Sequence, residues 1–476
     1  MTSNLLVVMS DEHQARALGC AGHALVKTPN LDALAATGVR FRNAVTPSPI
    51  CVPARACFAT GKYVHQIRHW DNAMPYDGRT PGWGHALQSL GVPVEAIGKL
   101  HYRAEGDRAG FDAEHIPMMV ADGVGMVWGS VRSAEERLVP GSRMLGDYIG
   151  PGYSKYNRYD DSVVARTERW LAENGNGAQP WCLFVGLVAP HFPLVVPQKW
   201  FDLYPADRMP PAKLHPEDGH PRHPWVELQN AVMDTDRQFR GDWERKAAKS
   251  SYYGLCSFLD QNVGRILDAL DAEGLRGNTT VVYTSDHGDN VGARGLWGKS
   301  NMYDESVAVP LIVSGPGIQP GHCDTPVSLI DLSATIASHF GTSIQGDLPG
   351  RSLYEIASGQ ADMNRAVVSE YHAVGAVSGA FMLRTGRWKY IRYVGFEPEL
   401  FDLEGDPEES RNLAGDPAYL AVLESFDRRL SEICDADAVD RQAHADQAEL
   451  IDSFGGPNAA FTLGARGATP APAPES

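Results

Sequence analysis

Cys51 opens the run Cys51-Val52-Pro53-Ala54-Arg55-Ala56, between a loop rich in Pro and Ser and a segment with the make-up of a short helix. Pro47, Pro49 and Pro53 stiffen the approach, and Pro53 suits an early helical position, where a missing N–H costs nothing. The helix expected over Arg55–Thr60 stops at Gly61. Residue 51 then lies at a helix N-terminus, where free amides and the dipole favour an anion. That suits a nucleophile, although a lone cysteine is also commonly a small buried hydrophobe. Asp11 and the pair Asp286-His287 supply a second chemistry: hard oxygen ligands with one imidazole suit a divalent cation. Glu12 is a further ligand or a support behind the ligands, and Asp289 is expected to bond within its own loop. Either aspartate alone would serve as well as a turn former or helix cap. Two acidic strand ends in one sheet favour the metal.

The elements that must position these groups are short apolar runs with the length and flanks of buried parallel strands. Leu5–Met9 leads to Asp11, Val92–Ile97 to Lys99 and His101, Trp181–Val188 to His191, and Thr279–Thr284 to Asp286; Pro310–Ser314 has the same character. Helical patterns alternate with them at Asn30–Thr37 and Tyr253–Leu270. This alternation predicts an α/β fold, a large mostly parallel sheet between helices. In such sheets ligands bind beyond the carboxyl ends of the strands, and four strands here deliver Asp, His or Lys within a few residues of that end. Three regions are expected: a catalytic α/β domain over 1–350, an α+β subdomain over 351–454, and a tail over 455–476. The subdomain reads as antiparallel strands at Ala366–Glu370, Ala380–Arg384 and Trp388–Val394 with a helix at Ala418–Cys434. The tail turns to Ala, Gly and Pro and reads as disordered, or ordered only against a partner subunit. The stretch 102–180 yields no assignment.

Beyond these patterns the chain resembles the sulfatase branch of the alkaline phosphatase superfamily over nearly its whole length. Cys51-Val52-Pro53-Ala54-Arg55 with Thr60-Gly61 resembles the signature in which cysteine is oxidised to formylglycine. Ser10-Asp11-Glu12-His13 is similar to the family's first metal-binding turn, and Ser285-Asp286-His287-Gly288 with Gly298-Lys299 to its second turn and distal lysine. Gly98-Lys99-Leu100-His101 and Pro190-His191-Phe192-Pro193 resemble its G-K-x-H and P-H-x-P motifs. Arg387-Trp388-Lys389-Tyr390 and Glu399-Leu400-Phe401-Asp402 are similar to its C-terminal subdomain. Asp286-His287 and Asn72 resemble the choline sulfatases and phosphonate monoester hydrolases, and Lys99 with His101 the former more than the latter. Ala54 departs from the commoner Ser, and Glu12 from the more usual Asp or Gln.

The resemblance implies an alkaline-phosphatase-like fold and hydrolysis of sulfate monoesters by a metal-bound formylglycine hydrate made from Cys51, through a sulfated enzyme intermediate. It implies one divalent cation, Ca²⁺ before Mn²⁺ or Mg²⁺, held by Asp11, residue 51, Asp286 and His287, with Glu12 as a further ligand or support. Arg55 would steady the nucleophile. Lys99 and Lys299 would neutralise sulfate oxygens, a charge that must be matched in the transition state. His191 would protonate the departing alkoxide with Lys299 assisting, and His101 would take the proton that lets the intermediate expel sulfate. Asn72 would donate to a substrate oxygen. Choline sulfate and aryl or alkyl sulfates are the implied substrates, and a formylglycine-generating enzyme the maturation partner. Phosphonate monoester or phosphodiester hydrolysis on the same scaffold is the alternative, and a non-catalytic metal-binding protein with unmodified Cys51 is an alternative of another class. His13, His65, His69, Trp70, His115 and Trp128 could line a pocket, where aromatic rings would suit a quaternary ammonium; ordinary packing accounts for them equally, and they stay unassigned.

Composition narrows the partners. A net charge of −17 argues against nucleic acid and anionic membranes, and obliges an anionic substrate to find a locally basic pocket. Seven scattered cysteines are too few and odd in number for a disulfide framework. The start Met1-Thr2-Ser3-Asn4 runs straight into an apolar strand with no basic leader, so a cytoplasmic protein is expected. The tail suggests a homo-oligomer.

Overall fold

The computed structural model describes residues 3–132, 145–146, 148–177, 179–465 and 467–472. An eight-stranded sheet runs in the order Gly321–Cys323, Val39–Phe41, Leu311–Ser314, Thr279–Ser285, Asn4–Asp11, Cys182–Pro190, Val94–Lys99, Ala113–Met118. From Thr279–Ser285 to Ala113–Met118 all neighbours are parallel, so their carboxyl ends share one edge. Asn4–Asp11, Cys182–Pro190 and Thr279–Ser285 are buried along their whole length, as strands covered on both faces must be. Alternation sends Leu6 and Val8 into one core, with Leu31, Val163, Leu259 and Ile266 of the covering helices. Leu5, Val7 and Met9 enter the other, with Phe58, Leu87, Leu332 and Ile336.

The expected strand at Pro310–Ser314 forms over Leu311–Ser314, but it runs antiparallel to both neighbours. A strand buried on both faces reads as the same apolar run whichever way it points, so composition could not give its direction. The helix expected at Tyr253–Leu270 is the second half of a 31-residue helix, Asp242–Ala272. Its first half hid because it buries Lys249, Ser250 and Ser251 next to the small Ala247 and Ala248, so no strong apolar stripe marks it. Within 102–180 the described residues hold the strand Ala113–Met118 and the helix Lys155–Asn174, capped by the Ser154 hydroxyl, which accepts from the Asn157 amide. Residues 133–144 lie outside the described residues.

The C-terminal strands Val367–Tyr371, Ala380–Arg384, Trp388–Tyr393 and Glu399–Asp402 make an antiparallel meander covered by the helix Leu420–Ile433 through Phe426 and Leu430. A buried ionic cluster fastens this sheet to the larger part: Asp304 meets Arg384 at 2.9 Å and Lys389 at 2.8 Å, and Lys389 meets Glu409 at 2.5 Å. Another helix, Ala436–Ser453, has no counterpart in the sequence reading. Its buried positions are Ala436, Asp440, Ala443, Gln447 and Ile451, a helical spacing written mostly in small and polar residues. The tail departs most from expectation. Pro457–Ala460 is a short helix, and Ala468 and Ala471 pack against the chain's own main core. Intrachain contacts therefore order the described part of a segment whose composition suggested disorder or a partner subunit. No described helix is long and apolar enough to cross a membrane.

Candidate active site

The shared strand edge gathers the reactive groups. Asp11 ends its strand and Asp286 directly follows the neighbouring one. On the other side Lys99 ends its strand, and His191 follows the strand that closes at Pro190. Gly98 and Gly186 allow the strands to close up here: Gly98 has φ +93°, and a Cβ on it would lie 2.3 Å from the Gly186 carbonyl oxygen. The helix Cys51–Thr60 points its first residue at this edge and ends at Gly61, whose φ of +69° suits the left-handed cap. Every residue of that helix is buried.

Position 51 sits at the centre. Its Sγ lies 3.1 Å from His287 Nε2, 3.4 Å from Lys299 Nζ and 3.7 Å from Asp11 Oδ1. Ligand atoms of Asp11, Cys51, Asp286 and His287 all fall within 4.8 Å of one another. Glu12 does not join those four but makes a second group with Asp11 and His191. Its Oε2 takes Lys299 at 3.1 Å and His191 Nε2 at 3.3 Å, while Oε1 is buried with no hydrogen-bond partner. Arg55 donates from Nε to Asp286 at 2.8 Å and from Nη1 to the Lys99 carbonyl at 2.8 Å. Lys99 Nζ pairs closely with Asp11 Oδ2. Asn72 Oδ1 accepts from the Val52 amide at 3.3 Å, which ties the Trp70–Ala73 loop to the helix start and leaves the Asn72 amide group to the cavity. His101 Nε2 lies 2.9 Å from Thr469 Oγ1.

Burial and charge compete at each group. Burial alone would raise Asp11, but Lys99, His191 and Lys299 outweigh it and hold the carboxyl well below its usual range. Glu12, less compensated, is pushed by burial up to about 8. Burial lowers His287, and with Lys299 or Lys99 beside them it lowers His191 and His101 far more. Burial and Asp11 push the Cys51 thiol up to about 12, so without a cation beside it the unmodified side chain is not a ready thiolate. Two aspartates, an imidazole and an orphaned carboxylate oxygen otherwise fit one divalent cation with a preference for oxygen.

All eleven residues singled out from the sequence lie at or beside this edge. The unassigned six serve packing instead. His13 bonds Tyr283 and the Ala17 carbonyl, His69 the Met74 carbonyl, Trp70 Asp446, and His115 Glu95. His65 pairs with Glu370, and Trp128 stacks on Phe461. Sequence reasoning missed three supports. Asp160, from the helix Lys155–Asn174, accepts the Val188 and Ala189 amides at 2.7 and 2.8 Å and so holds the approach to His191. Asp71 takes Ser130 and Gln447, each at 2.6 Å, and anchors the Asn72 loop. Thr469 is the third. Only tertiary contacts, between 28 and 376 residues apart in sequence, reveal them.

The Sulfatase family model matches residues 3–342 of this chain. The chain belongs to the sulfatase family. A second model, N-sulphoglucosamine sulphohydrolase, C-terminal, matches residues 292–436 of this sulfatase. A choline-sulfatase of Rhizobium meliloti (strain 1021) is 32% identical over 464 residues, covering 94% of this chain and 89% of the relative. Arylsulfatase K of Xenopus laevis is 27% identical over 479 residues, covering 93% and 84%. Among solved structures, a phosphonate monoester hydrolase from Silicibacter pomeroyi has a TM-score of 0.71 at 25% identity, covering 90% of this chain and 94% of its own. The fold is thus that of an alkaline-phosphatase-like sulfatase, and the chain is a sulfuric ester hydrolase.

Proposed function

We infer that this sulfatase hydrolyses sulfate monoesters at position 51, after Cys51 has become formylglycine. The observation that carries this reading is the convergence of Asp11, Cys51, Asp286 and His287 within 4.8 Å on one strand edge, with Lys299 Nζ 3.4 Å from Cys51. Asp11, Asp286 and His287 would hold the cation, with Ca²⁺ favoured over Mn²⁺ or Mg²⁺ by the carboxylates. When bound it would acidify the hydrated aldehyde and draw off sulfate charge. Oxidation replaces the sulfur by oxygen and removes two hydrogens, carried out by a formylglycine-generating enzyme with an external oxidant. It also puts an oxygen beside two carboxylates and an imidazole, a set that suits an oxygen-preferring cation.

The chain's own residues divide the remaining work. Arg55 fixes Asp286 and, through the Lys99 carbonyl, the strand end that carries Lys99. Lys99 Nζ meets Asp11 and Lys299 Nζ meets Glu12, and from there both would neutralise sulfate oxygens. His191 Nδ1 lies 2.6 Å from the Phe192 carbonyl, which only accepts, so Nδ1 carries the hydrogen and Nε2 faces the site. Delivery of a proton from Nε2 to the departing alkoxide would come from the imidazolium form, in which both ring nitrogens carry hydrogen. His101, which lines the same cavity, would remove the proton that lets the sulfated intermediate collapse. Asn72 would donate its amide hydrogens to a substrate oxygen. Choline sulfate and aryl or alkyl sulfates are the candidate substrates, the first supported by the 32% identical relative.

The likeness to a phosphonate monoester hydrolase supports a second reading, cleavage of phosphonate monoesters or phosphodiesters by the same groups. The test quantifies the mass of the tryptic peptide Asn43–Arg55 in protein from a host able to form formylglycine, then compares phenyl sulfate, choline sulfate and a phenyl phosphonate ester on that sample. Conversion with sulfate turnover is expected. An intact thiol in active protein defeats the formylglycine step, and dominant phosphonate cleavage defeats the sulfatase reading.

A further inference from the structure

The strand Cys182–Pro190 leaves its regular ladder just before His191. It pairs residue for residue with Asn4–Asp11 as far as Gly186, opposite Met9, and the next matched pair is Pro190 with Asp11. Leu187, Val188 and Ala189 thus stand opposite Ser10 alone. On the other side, pairing with Val94–Lys99 also stops at Gly186. Such a bulge re-aims the chain beyond it and leaves amides without regular strand partners. Val188 and Ala189 are buried, so those amides need another acceptor. Asp160 supplies it: each of its two oxygens accepts one amide, Val188 at 2.7 Å and Ala189 at 2.8 Å.

Asp160 is itself wholly buried, on the helix Lys155–Asn174, and does not line the cavity beside position 51. Its grip is passed on through Val188. The Val188 amide is held by Asp160, and the Val188 carbonyl accepts the His191 amide at 3.0 Å. One helical turn before Asp160, Tyr156 meets the His191 ring edge-on, with centroids 6.0 Å apart and planes at 71°. The Phe192 ring lies 4.1 Å from the same imidazole, and the Phe192 carbonyl lies 2.6 Å from Nδ1. Nε2 is left 3.3 Å from Glu12 and 3.9 Å from Asp11. One helix therefore fixes the backbone that carries His191 through Asp160, and packs on its ring through Tyr156.

We propose that Asp160 is a positioning residue for His191: by holding the bulged amides it aims Nε2 at the leaving-group oxygen, and so sets how basic an alcohol this sulfatase can expel. The inference rests on the reading of His191 as the proton donor. As the new bond to sulfur forms, the bridging S–O bond breaks with its electron pair going to the alcohol oxygen. That oxygen takes the proton from Nε2 of the imidazolium, leaving neutral imidazole. A weakly basic phenolate departs without this proton, whereas a more basic one needs the donor in place. A shift of about 1 Å in a reacting group can cost about 100-fold. Loosening the bulge therefore falls on the esters that need the proton and spares those that do not.

The test compares 4-nitrophenyl, phenyl and 4-methoxyphenyl sulfates on the full chain, at saturating Ca²⁺ and matched Cys51 conversion. The readout is kcat/KM, which includes alcohol departure. Asp160→Asn keeps the shape but offers one acceptor and one donor in place of two acceptors, so one amide faces an N–H group. It should lose about twofold or less on the 4-nitro ester and about tenfold or more on the 4-methoxy ester. Asp160→Glu keeps both acceptor oxygens but moves them by one methylene, and should show the same gradient even where the asparagine variant fails to fold. His191→Ala should show a steeper gradient, and adding Asp160→Asn to it should change no ester by more than about threefold. Uniform losses or native rates in the Asp160 variants, beside a graded His191→Ala loss, overturn the inference. So does an Asp160→Asn loss that adds in full to that of His191→Ala. Each of those leaves sulfate hydrolysis standing. A His191→Ala loss equal on all three esters would instead sink the proton-donor role beneath the inference, and fully converted enzyme inert on every sulfate would sink the reading of the site.

Discussion

Replacing Lys99 by methionine separates the charge of this side chain from its bulk. The residue is wholly buried, its Nζ pairs with Asp11, and its carbonyl holds Arg55 at 2.8 Å. Methionine keeps the unbranched stem and the backbone contact while removing the ammonium. Two effects of opposite sign follow. Two unit charges 4 Å apart interact by about 4 kcal/mol at an effective dielectric near 20, so a freed Asp11 should bind the cation at least as tightly as before. Arg55 Nη2 stays 3.6 Å from Asp11 and limits the loss of stability. Turnover should move the other way. A positive group aimed at charge that develops in the transition state is worth about 2.7–4 kcal/mol, or roughly 100- to 1,000-fold in kcat. Lys99→Met should therefore keep or improve Ca²⁺ affinity, read as a thermal shift across a Ca²⁺ titration, and lose about 100- to 1,000-fold on phenyl sulfate at saturating Ca²⁺. Conversion of Cys51 must be matched between the two proteins by peptide mass. A loss below about tenfold at matched conversion refutes charge neutralisation by Lys99, and a loss of Ca²⁺ affinity refutes the competition for Asp11.

Three further outcomes are expected. Chelation should abolish turnover and lower the thermal midpoint, since a cation at 100 times its Kd stabilises the fold by about 2.7 kcal/mol; Asp286→Ala should show neither the drop nor its rescue by Ca²⁺, and a rescue would remove Asp286 from the ligand set. His65 and Glu370, 2.7 Å apart, should link stability to pH. Burial opposes both charges, but each outweighs it for the other, so His65 is raised and Glu370 falls to about 2. The histidine's contribution is complete below its unfolded value near 6.5 and is lost as pH climbs through its higher folded value. His65→Gln should therefore cost more stability in urea at pH 6 than at pH 8.5, and an equal cost at both would refute the coupling. Lys389→Met leaves Asp304 and Glu409 buried without their shared cation and should cost about 3–5 kcal/mol by urea unfolding; a cost under about 1 kcal/mol would mean that Arg384, which also pairs with Asp304, compensates.

Much of this site was legible without coordinates, for a physical reason. In a parallel sheet the strand ends are where the chain must turn, and ligand-bearing residues just after apolar runs are carried to one edge by the topology alone. Leu5–Met9 before Asp11 and Thr279–Thr284 before Asp286 are of this kind, and the helix start at Cys51 is written in local prolines and Gly61. The motif residues are thus readable because their positions depend on sequence neighbours. The direction of Leu311–Ser314 was not, because a doubly buried strand has no compositional polarity. Nor was the helix Ala436–Ser453, whose inner face holds Asp440 and Gln447. Their partners, Gly379 and Asp71, lie far away in sequence and make polar burial tolerable. Tertiary structure also decided what surrounds the site. Asp160 behind His191, and Thr469 against His101 across 368 residues, are pairings of ordinary residue types that no local pattern marks. By itself the sequence marked the candidate site residues and the strand edge on which they meet. Packing decided which wall closes over them, because an Ala-, Gly- and Pro-rich tail carries almost no folding information of its own and takes its place only from the carbonyls, hydroxyls and apolar surface waiting for it.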